Sequence, residues 1–365
     1  MIKIKDICNE LELFADLSLQ ESYDNAGLIV GNAQANAKAV LLTIDVTEAV
    51  VDEAIARGAN LIVAHHPFVF KAIKKFTGSN DVERTLLKAI KNDIAIYASH
   101  TNIDAVMQGV NGKIADKIGL KNCKILQPKS GNLLKLITFV PQLHVFAVRD
   151  AIFAAGAGHI GNYTNCSFSS EGWGTFKAMD GAQPFVGEID ALHSEKEIRI
   201  EFILTAHQQH AVLSALHKAH PYEEPAYDLI ALQNKWQQAG AGIVGELENA
   251  IDSRLFLQKI KAIFGNPTVR HTKITSNTLQ RVAICGGSGS FLLKNAIAAK
   301  ADIFISADFK YHEFFDAENK IIIADVGHFE SEQFTKEIFY EIITKKFPTF
   351  AVLISEINTN PINYL

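Results

Sequence analysis

Basic charge, sulfur and long apolar runs are all scarce in this 365-residue chain, and each shortage narrows what it can do. Lys and Arg number 35 against 40 Asp and Glu, a net charge of -5. Nucleic acid therefore has no general electrostatic attraction to it and no strong nucleic-acid signal remains, local basic patches aside; Lys71, Lys74 and Lys75 read equally as a contact for an anionic substrate or as a solvated surface. The four cysteines, Cys8, Cys123, Cys166 and Cys285, lack CxxC spacing. That argues against a zinc ribbon or a disulfide scaffold and favours a reducing cytoplasm, with each thiol a small core residue. No uninterrupted apolar run is long enough to cross a bilayer, and Met1 to Asp6 lacks the basic-then-apolar pattern of a signal peptide. The expectation is a cytoplasmic protein with no membrane partner. What is present is 48% hydrophobic and 21% charged residues, the balance of a globular protein. The length exceeds one ordinary core, so two or three domains are expected.

The first part alternates strands and helices. Residues 39–45 read as an apolar strand, and Thr47 caps an amphipathic helix over 48–57 stopped by Gly58. A strand over 60–64, a helix over 81–91, a strand over 94–98 and a helix over 110–118 follow. This rhythm calls for a mostly parallel sheet with helices on both faces and ligands at the strands' carboxyl ends. It resumes near Gly242 and continues to a last strand over 350–354. Between the halves the grammar changes to βαββαβ, the ferredoxin-like order. The boundaries read as 1–132, 133–232 and 233–365: one discontinuous α/β domain carrying an inserted α+β domain.

The chemistry centres on His65-His66-Pro67, at the end of the strand over 60–64. Two adjacent imidazoles where a buried strand opens into a loop are costly unless something occupies their lone pairs. The residue before proline is pushed towards extended geometry, and successive extended side chains point to opposite sides. His65 and His66 therefore suit two ions, or opposite flanks of one. Other candidates follow later strands: His100 and Asp104 in Ser99-His100-Thr101-Asn102-Ile103-Asp104, then Asp308, Tyr311, His312 and Glu313, then Gly327-His328-Phe329-Glu330-Ser331-Glu332. A further polar group, Tyr23-Asp24-Asn25, lies in an N-terminal loop. His328 and Glu332 are four apart on a predicted helix and share a face, as a metal chelate or as a plain i,i+4 pair. Asp104 serves equally as a ligand or as a helix cap, while His100 and His312 read as supporting groups rather than first ligands. Imidazoles mixed with carboxylates suit zinc, iron, manganese or cobalt better than calcium or magnesium. Gly286-Gly287-Ser288-Gly289 reads as a tight turn feeding a helix, since it lacks the lysine of a phosphate-binding loop. Chance placement leaves unexplained why these histidine clusters should all fall at the carboxyl ends of one sheet.

The blocks at 65–71, 99–104, 286–289, 307–312 and 327–332 resemble the signature blocks of the NIF-three-like family, whose members are often labelled GTP cyclohydrolase 1 type 2 homologues. The resemblance extends over essentially the whole chain and implies a layered α/β domain. The middle region, with Gly161-Asn162-Tyr163 and His220-Pro221-Tyr222-Glu223-Glu224-Pro225, resembles the PII- and CutA-like insert of the longer bacterial members. The family implies a dinuclear metal centre facing the cavity of a toroidal homohexamer, with two divalent ions per subunit, zinc, iron or manganese. Carried over position by position, the ligands are His65, His66, Asp104, His328 and Glu332. The chain departs from the usual pattern at Tyr23, Ala64 and Ser306-Ala307, none of which removes a ligand.

The expected function is that of a metal-dependent hydrolase with a small-molecule or nucleotide substrate. GTP ring opening and phosphoester hydrolysis both suit a metal pair. His100 and His312 are the candidate proton carriers and Lys71 the candidate phosphate contact. The competing class is a metal-binding regulatory protein that senses a ligand through its PII-like insert.

Overall fold

Val40–Thr43, Leu61–Ala64 and Ala95–Ala98 are four-residue strands in which every side chain is buried. Strands covered on both faces belong in a parallel sheet. They pair in parallel, Val40 opposite Leu61 and Leu61 opposite Ala95. Val352–Ile354 extends one edge in parallel, and Gly27–Val30 closes the other in antiparallel. A second sheet of six strands runs Arg270–His271, Ile322–Asp325, Ile303–Ala307, Thr278–Ser288, Trp236–Asp252 and Lys121–Lys129.

The computed structural model describes residues 1–365. It divides into two compact units: Met1–Pro128 with Gln238–Leu365, and Lys129–Gln237. Both sheets lie in the first unit, which corrects the expectation of a single sheet. The physical reason is in the core. One apolar cluster takes Val40, Leu61 and Tyr97 from the first sheet and Ile284, Ile305 and Ile322 from the second. The helices Ile4–Phe14, Val110–Ile118, Ser253–Phe264 and Thr335–Lys346 contribute the rest of it, including Ile7, Ile114, Phe256 and Phe339. The other face of the five-stranded sheet is sealed by Val50, Val51 and Leu86 from the helices Glu48–Ala56 and Asp81–Lys91. The other face of the six-stranded sheet is sealed by Leu293, Ala296 and Phe309. The unit is thus layered α, β, α, β, α, with a shared helical layer between two sheets.

Local signals account for these elements. The Thr47 hydroxyl accepts from Val50 N at 3.3 Å, and the Asn80 side chain accepts from Glu83 N at 2.9 Å, each relieving a first-turn amide. Gly119 and Gly265 end helices in the left-handed conformation. Asp104 does not cap the helix Val110–Ile118, whose N-cap is Gly109; it lies inside the short helix Thr101–Ala105. Gly286 to Ser288 do not form the expected tight turn. They belong to the strand Thr278–Ser288, where the register with its neighbour shifts between Ile284 and Ser288.

In the second unit the elements run Leu133–Pro141, Val145–Ala154, Ser167–Lys177, Leu192–Thr205, Gln209–Ala219 and Tyr227–Ala231. Both helices cover one face of a four-stranded antiparallel sheet, over Leu136, Val140, Ile200, Phe202 and Leu204.

Candidate metal centre

The strand Leu61–Ala64 delivers His65, which is fully buried, and His66. The neighbouring strand Ala95–Ala98 delivers His100, and the turn of helix after it delivers Asp104. From the second sheet, Ile322–Asp325 leads into the short helix His328–Glu332, which supplies both of its end residues. The site therefore draws on the carboxyl ends of strands in both sheets, where main-chain direction leaves side chains free to converge.

Glu332 Oε2 is the common point. It lies 2.9 Å from His66 Nε2, 3.1 Å from His328 Nε2 and 3.6 Å from His65 Nε2. Asp104 Oδ1 is 3.7 Å from His65 Nε2. His66 and His328 face each other through Nε2 at 3.4 Å. Three groups have ligand atoms within 4.8 Å of one another: His65, His66 and His100; His66, His328 and Glu332; His65, Asp104 and Glu332.

Proton positions follow from what lies behind each ring. His65 Nδ1 is 2.9 Å from the Ser99 carbonyl, which can only accept, so Nδ1 carries the hydrogen. His66 Nδ1 donates to Asp45 Oδ1 at 2.7 Å, His100 Nδ1 to Asp24 Oδ1 at 2.8 Å, and His328 Nδ1 to Asp308 Oδ2 at 2.6 Å. Each ring in its neutral form thus turns an Nε2 lone pair inward. A carboxylate or carbonyl behind a histidine is the usual support of a metal ligand. Inside, His65 Nε2, Asp104 Oδ1 and Glu332 Oε2 are buried with no hydrogen-bond partner. Lone pairs and carboxylate oxygens packed together without donors repel one another, and a cation, or protons in its stead, removes the conflict.

The electrostatics agree. Burial pushes His65 down, with Glu332 opposing. Burial also opposes charge on His66 and His328. Their carboxylate neighbours prevail, Asp45 and Glu332 raising His66 to about 9, and Asp308 and Glu332 raising His328 to about 11. Asp104 is pushed well up by burial and by the Glu332 charge. Glu332 resists its own burial because His65, His328 and His66 hold it ionised.

Glycine makes room for this arrangement. Gly287 has φ +62, and a Cβ there would stand 2.1 Å from Glu332 Oε1. Gly287 N also donates to the Ser331 hydroxyl at 2.9 Å, tying the glycine segment to the helix that carries Glu332. The C-terminal segment joins in, with the Thr359 hydroxyl donating to Asp45 Oδ2 at 2.6 Å.

All five proposed ligands are therefore brought together, and His100 stands closer to them than expected, its ring centroid 5.3 Å from those of His65 and His66. His312 is not brought in: it is exposed, and its ring neighbours are Tyr311 and Phe315. Lys71 is exposed and makes no ion pair, one residue beyond Phe70, whose ring is 5.8 Å from His100. Sequence reasoning did not assign the orienting roles of Asp24, Asp45 and Asp308. The available signal was an aspartate beside the end of a strand (Asp45, Asp308) or in a loop already marked as polar (Asp24). Cys285 is buried beside Asp104 and Glu332, and burial first, then those charges, push its thiol far up, which leaves it inert.

A layered α/β unit with a histidine–carboxylate cluster at its strand ends defines a class of possible metal-binding proteins, and comparison places the chain within it. The model of the Duf34/NIF3 (NGG1p interacting factor 3) family matches residues 2–361, and the chain belongs to that family. It is 38% identical over 359 residues to a Halalkalibacterium halodurans protein named GTP cyclohydrolase 1 type 2 homolog, covering 97% of this chain and 96% of the relative. A Bacillus subtilis protein of the same name is 34% identical over 371 residues, covering 99% and 98%. Among solved structures, a Bacillus cereus protein related to NIF3 superposes with TM-score 0.86 at 36% identity, over 100% of this chain and 99% of that one.

Proposed function

We propose that the chain is a metal-dependent hydrolase in which His65, His66, Asp104, His328 and Glu332 hold two divalent ions. The observation that carries the reading is the inward set of imidazole lone pairs and unpaired carboxylate oxygens, each ring fixed from behind by Ser99, Asp45 or Asp308. The sharing of Glu332 between two ligand groups supports a pair of ions, with His65 and Asp104 on one flank and His66 and His328 on the other. The mixture of nitrogen and oxygen donors favours zinc, iron or manganese.

A bound metal pair supplies water activation near neutral pH and polarisation of the bond to be cut. The protein's own groups do the rest. His100, its Nδ1 hydrogen held by Asp24, presents Nε2 as a proton acceptor beside the cluster. Thr101 also donates to Asp24 from its hydroxyl and its backbone amide, keeping that carboxylate ionised and in place. Lys71 offers an exposed, unpaired charge to a phosphate-bearing substrate. The name shared by the relatives points to GTP, whose purine ring would open by water attack at C8. Phosphoester hydrolysis needs the same residues.

We read the second unit as a ferredoxin-like, PII/CutA-like insert in a discontinuous domain. We read the assembly as a cytoplasmic homohexamer, which light scattering at micromolar concentration would contradict by returning a monomer. No helix is long and apolar enough to cross a membrane. The deciding experiment compares GTP with p-nitrophenyl phosphate at equal metal loading. Formate release from GTP supports ring opening, and phosphate alone assigns a phosphoesterase. Inertness of both with the site filled removes the hydrolase reading in favour of a metal-binding sensor, for which the cavity in the insert is the specific support.

A further inference from the structure

The helix-free face of the four-stranded sheet carries a cavity of about 780 Å³ that belongs wholly to the second unit. Its floor follows from strand alternation. Ile198, Ile200 and Phe202 point to the helices, so Glu197 and Arg199 point the other way, opposite Gly172 and Ser170 of the neighbouring strand. Glu171-Gly172-Trp173-Gly174 places a glycine on either side of a tryptophan. A Cβ at Gly174 would fall 2.3 Å from Glu197 Oε2, so the glycine lets that carboxylate lie against the sheet. A Cβ at Gly172 would meet nothing within 4 Å, because the cavity begins there.

The walls are aromatic. Phe176 and Phe185 each stand 6.2 Å from the Tyr222 ring. The charge is lopsided. Glu197, Glu223 and Glu224 line the cavity against one cation, Arg199, while Glu171 turns its side chain to the opposite face of its strand. That cation is engaged elsewhere, 2.9 Å from Glu201, and Glu171 is matched by Lys196 at 2.8 Å. Glu197 is only 8% exposed and has no cationic partner; its side-chain neighbour is the Tyr222 hydroxyl, which hydrogen-bonds to its carboxylate. One neutral hydroxyl does not balance the charge of a buried carboxylate, which stays costly until a positive group completes it.

We propose that this cavity is a binding site for an organic cation, a quaternary or protonated amine with an apolar body, received by the aromatic walls and neutralised by Glu197. Cations over aromatic faces are attracted by the ring quadrupole, and a nearby carboxylate adds direct charge pairing. The site stands independently of the metal centre and of any hydrolase activity. It supplies the ligand class that a sensing role for this unit requires.

The test is titration calorimetry on the full-length protein with choline and with its uncharged carbon isostere, dimethylbutanol. Choline should bind saturably, and the isostere at least about tenfold more weakly. Glu197→Gln should weaken choline by about tenfold or more. Gly172→Val should abolish binding, since the new side chain enters open space in an extended strand that β-branched residues favour. An unchanged thermal midpoint in Gly172→Val separates loss of binding from loss of fold. Equal binding of choline and dimethylbutanol, wild-type affinity in Gly172→Val, or no saturable heat with millimolar choline would each overturn the proposal.

Discussion

Replacing Asp45 by Asn tests whether the ring supports serve the metal or merely the fold. Asp45 accepts from His66 Nδ1 and from Thr359, and an asparagine of the same shape can keep its Oδ1 on His66 and turn its amide to the Thr359 hydroxyl. Geometry survives while one negative charge is lost. Two opposing consequences follow. In the metal-free protein His66 has its pKa raised from 6.5 to about 9, so at pH 7 the proton holds Nε2 by about a hundred to one. Displacing it costs a metal ion about 2.7 kcal/mol at 1.36 kcal/mol per unit. Without Asp45 that proton is held less tightly, and the penalty shrinks. Against this, loss of an outer-sphere carboxylate makes imidazole a poorer ligand, by about 10–100-fold in metal affinity.

At pH 7 the two effects largely cancel, and the variant should bind zinc within about tenfold of the wild type. At pH 10 the proton holds only about a tenth of the His66 rings, and most of the deficit of about 10–100-fold should emerge. The same sign governs stability. The charged His66 stabilises the metal-free fold below pH 6.5, and that contribution is lost as pH rises through about 9. Competition with a chromophoric chelator at both pH values gives the ratio of variant to wild type, in which metal hydrolysis cancels. A deficit of the same size at both pH values would refute the reasoning. So would a deficit that persists when Asp45→Asn is made in a His66→Ala background, where the carboxylate has no ring to serve.

The ligand set itself predicts that a His66→Ala, Glu332→Ala double variant purifies with little transition metal by elemental analysis yet unfolds cooperatively; full occupancy would exclude these ligands. Gly287→Ala should lose metal by the same measurement and also cost about 1–2 kcal/mol in urea, because φ +62 strains a Cβ that would additionally meet Glu332 Oε1. His100→Ala should lower kcat with metal content unchanged, and an equal loss of metal would instead make His100 a ligand. Deleting 129–237 with a short Gly/Ser bridge should leave a folded, metal-binding remainder. Gln127 and Gly240 already touch in the first unit, a Cβ at Gly240 falling 2.1 Å from Gln127 O. Loss of both cooperative unfolding and metal would contradict this.

The sequence alone determined a good deal, and for local reasons. Four-residue apolar runs, Thr47 as a cap and the glycines that end helices are set by neighbours a few positions apart, so the element order was legible, as was the changed grammar of the middle region. The five residues proposed as ligands stood out as well, because His65-His66-Pro67, Asp104 and the His328/Glu332 pair each stand at a strand end or share one helical face. Only the tertiary structure decided that two sheets rather than one contribute to the site, since sharing a helical layer leaves no periodic trace. It also decided that His66 and His328, 262 residues apart, meet at 3.4 Å. Which way each ring faces was settled by partners from distant loops: Asp24 for His100, Asp45 for His66 and Asp308 for His328. His100 and His312 looked alike in sequence, yet one stands beside the cluster and the other lies on an exposed turn. Convergence of lone pairs is a property of space between segments, and no pattern within one segment encodes it.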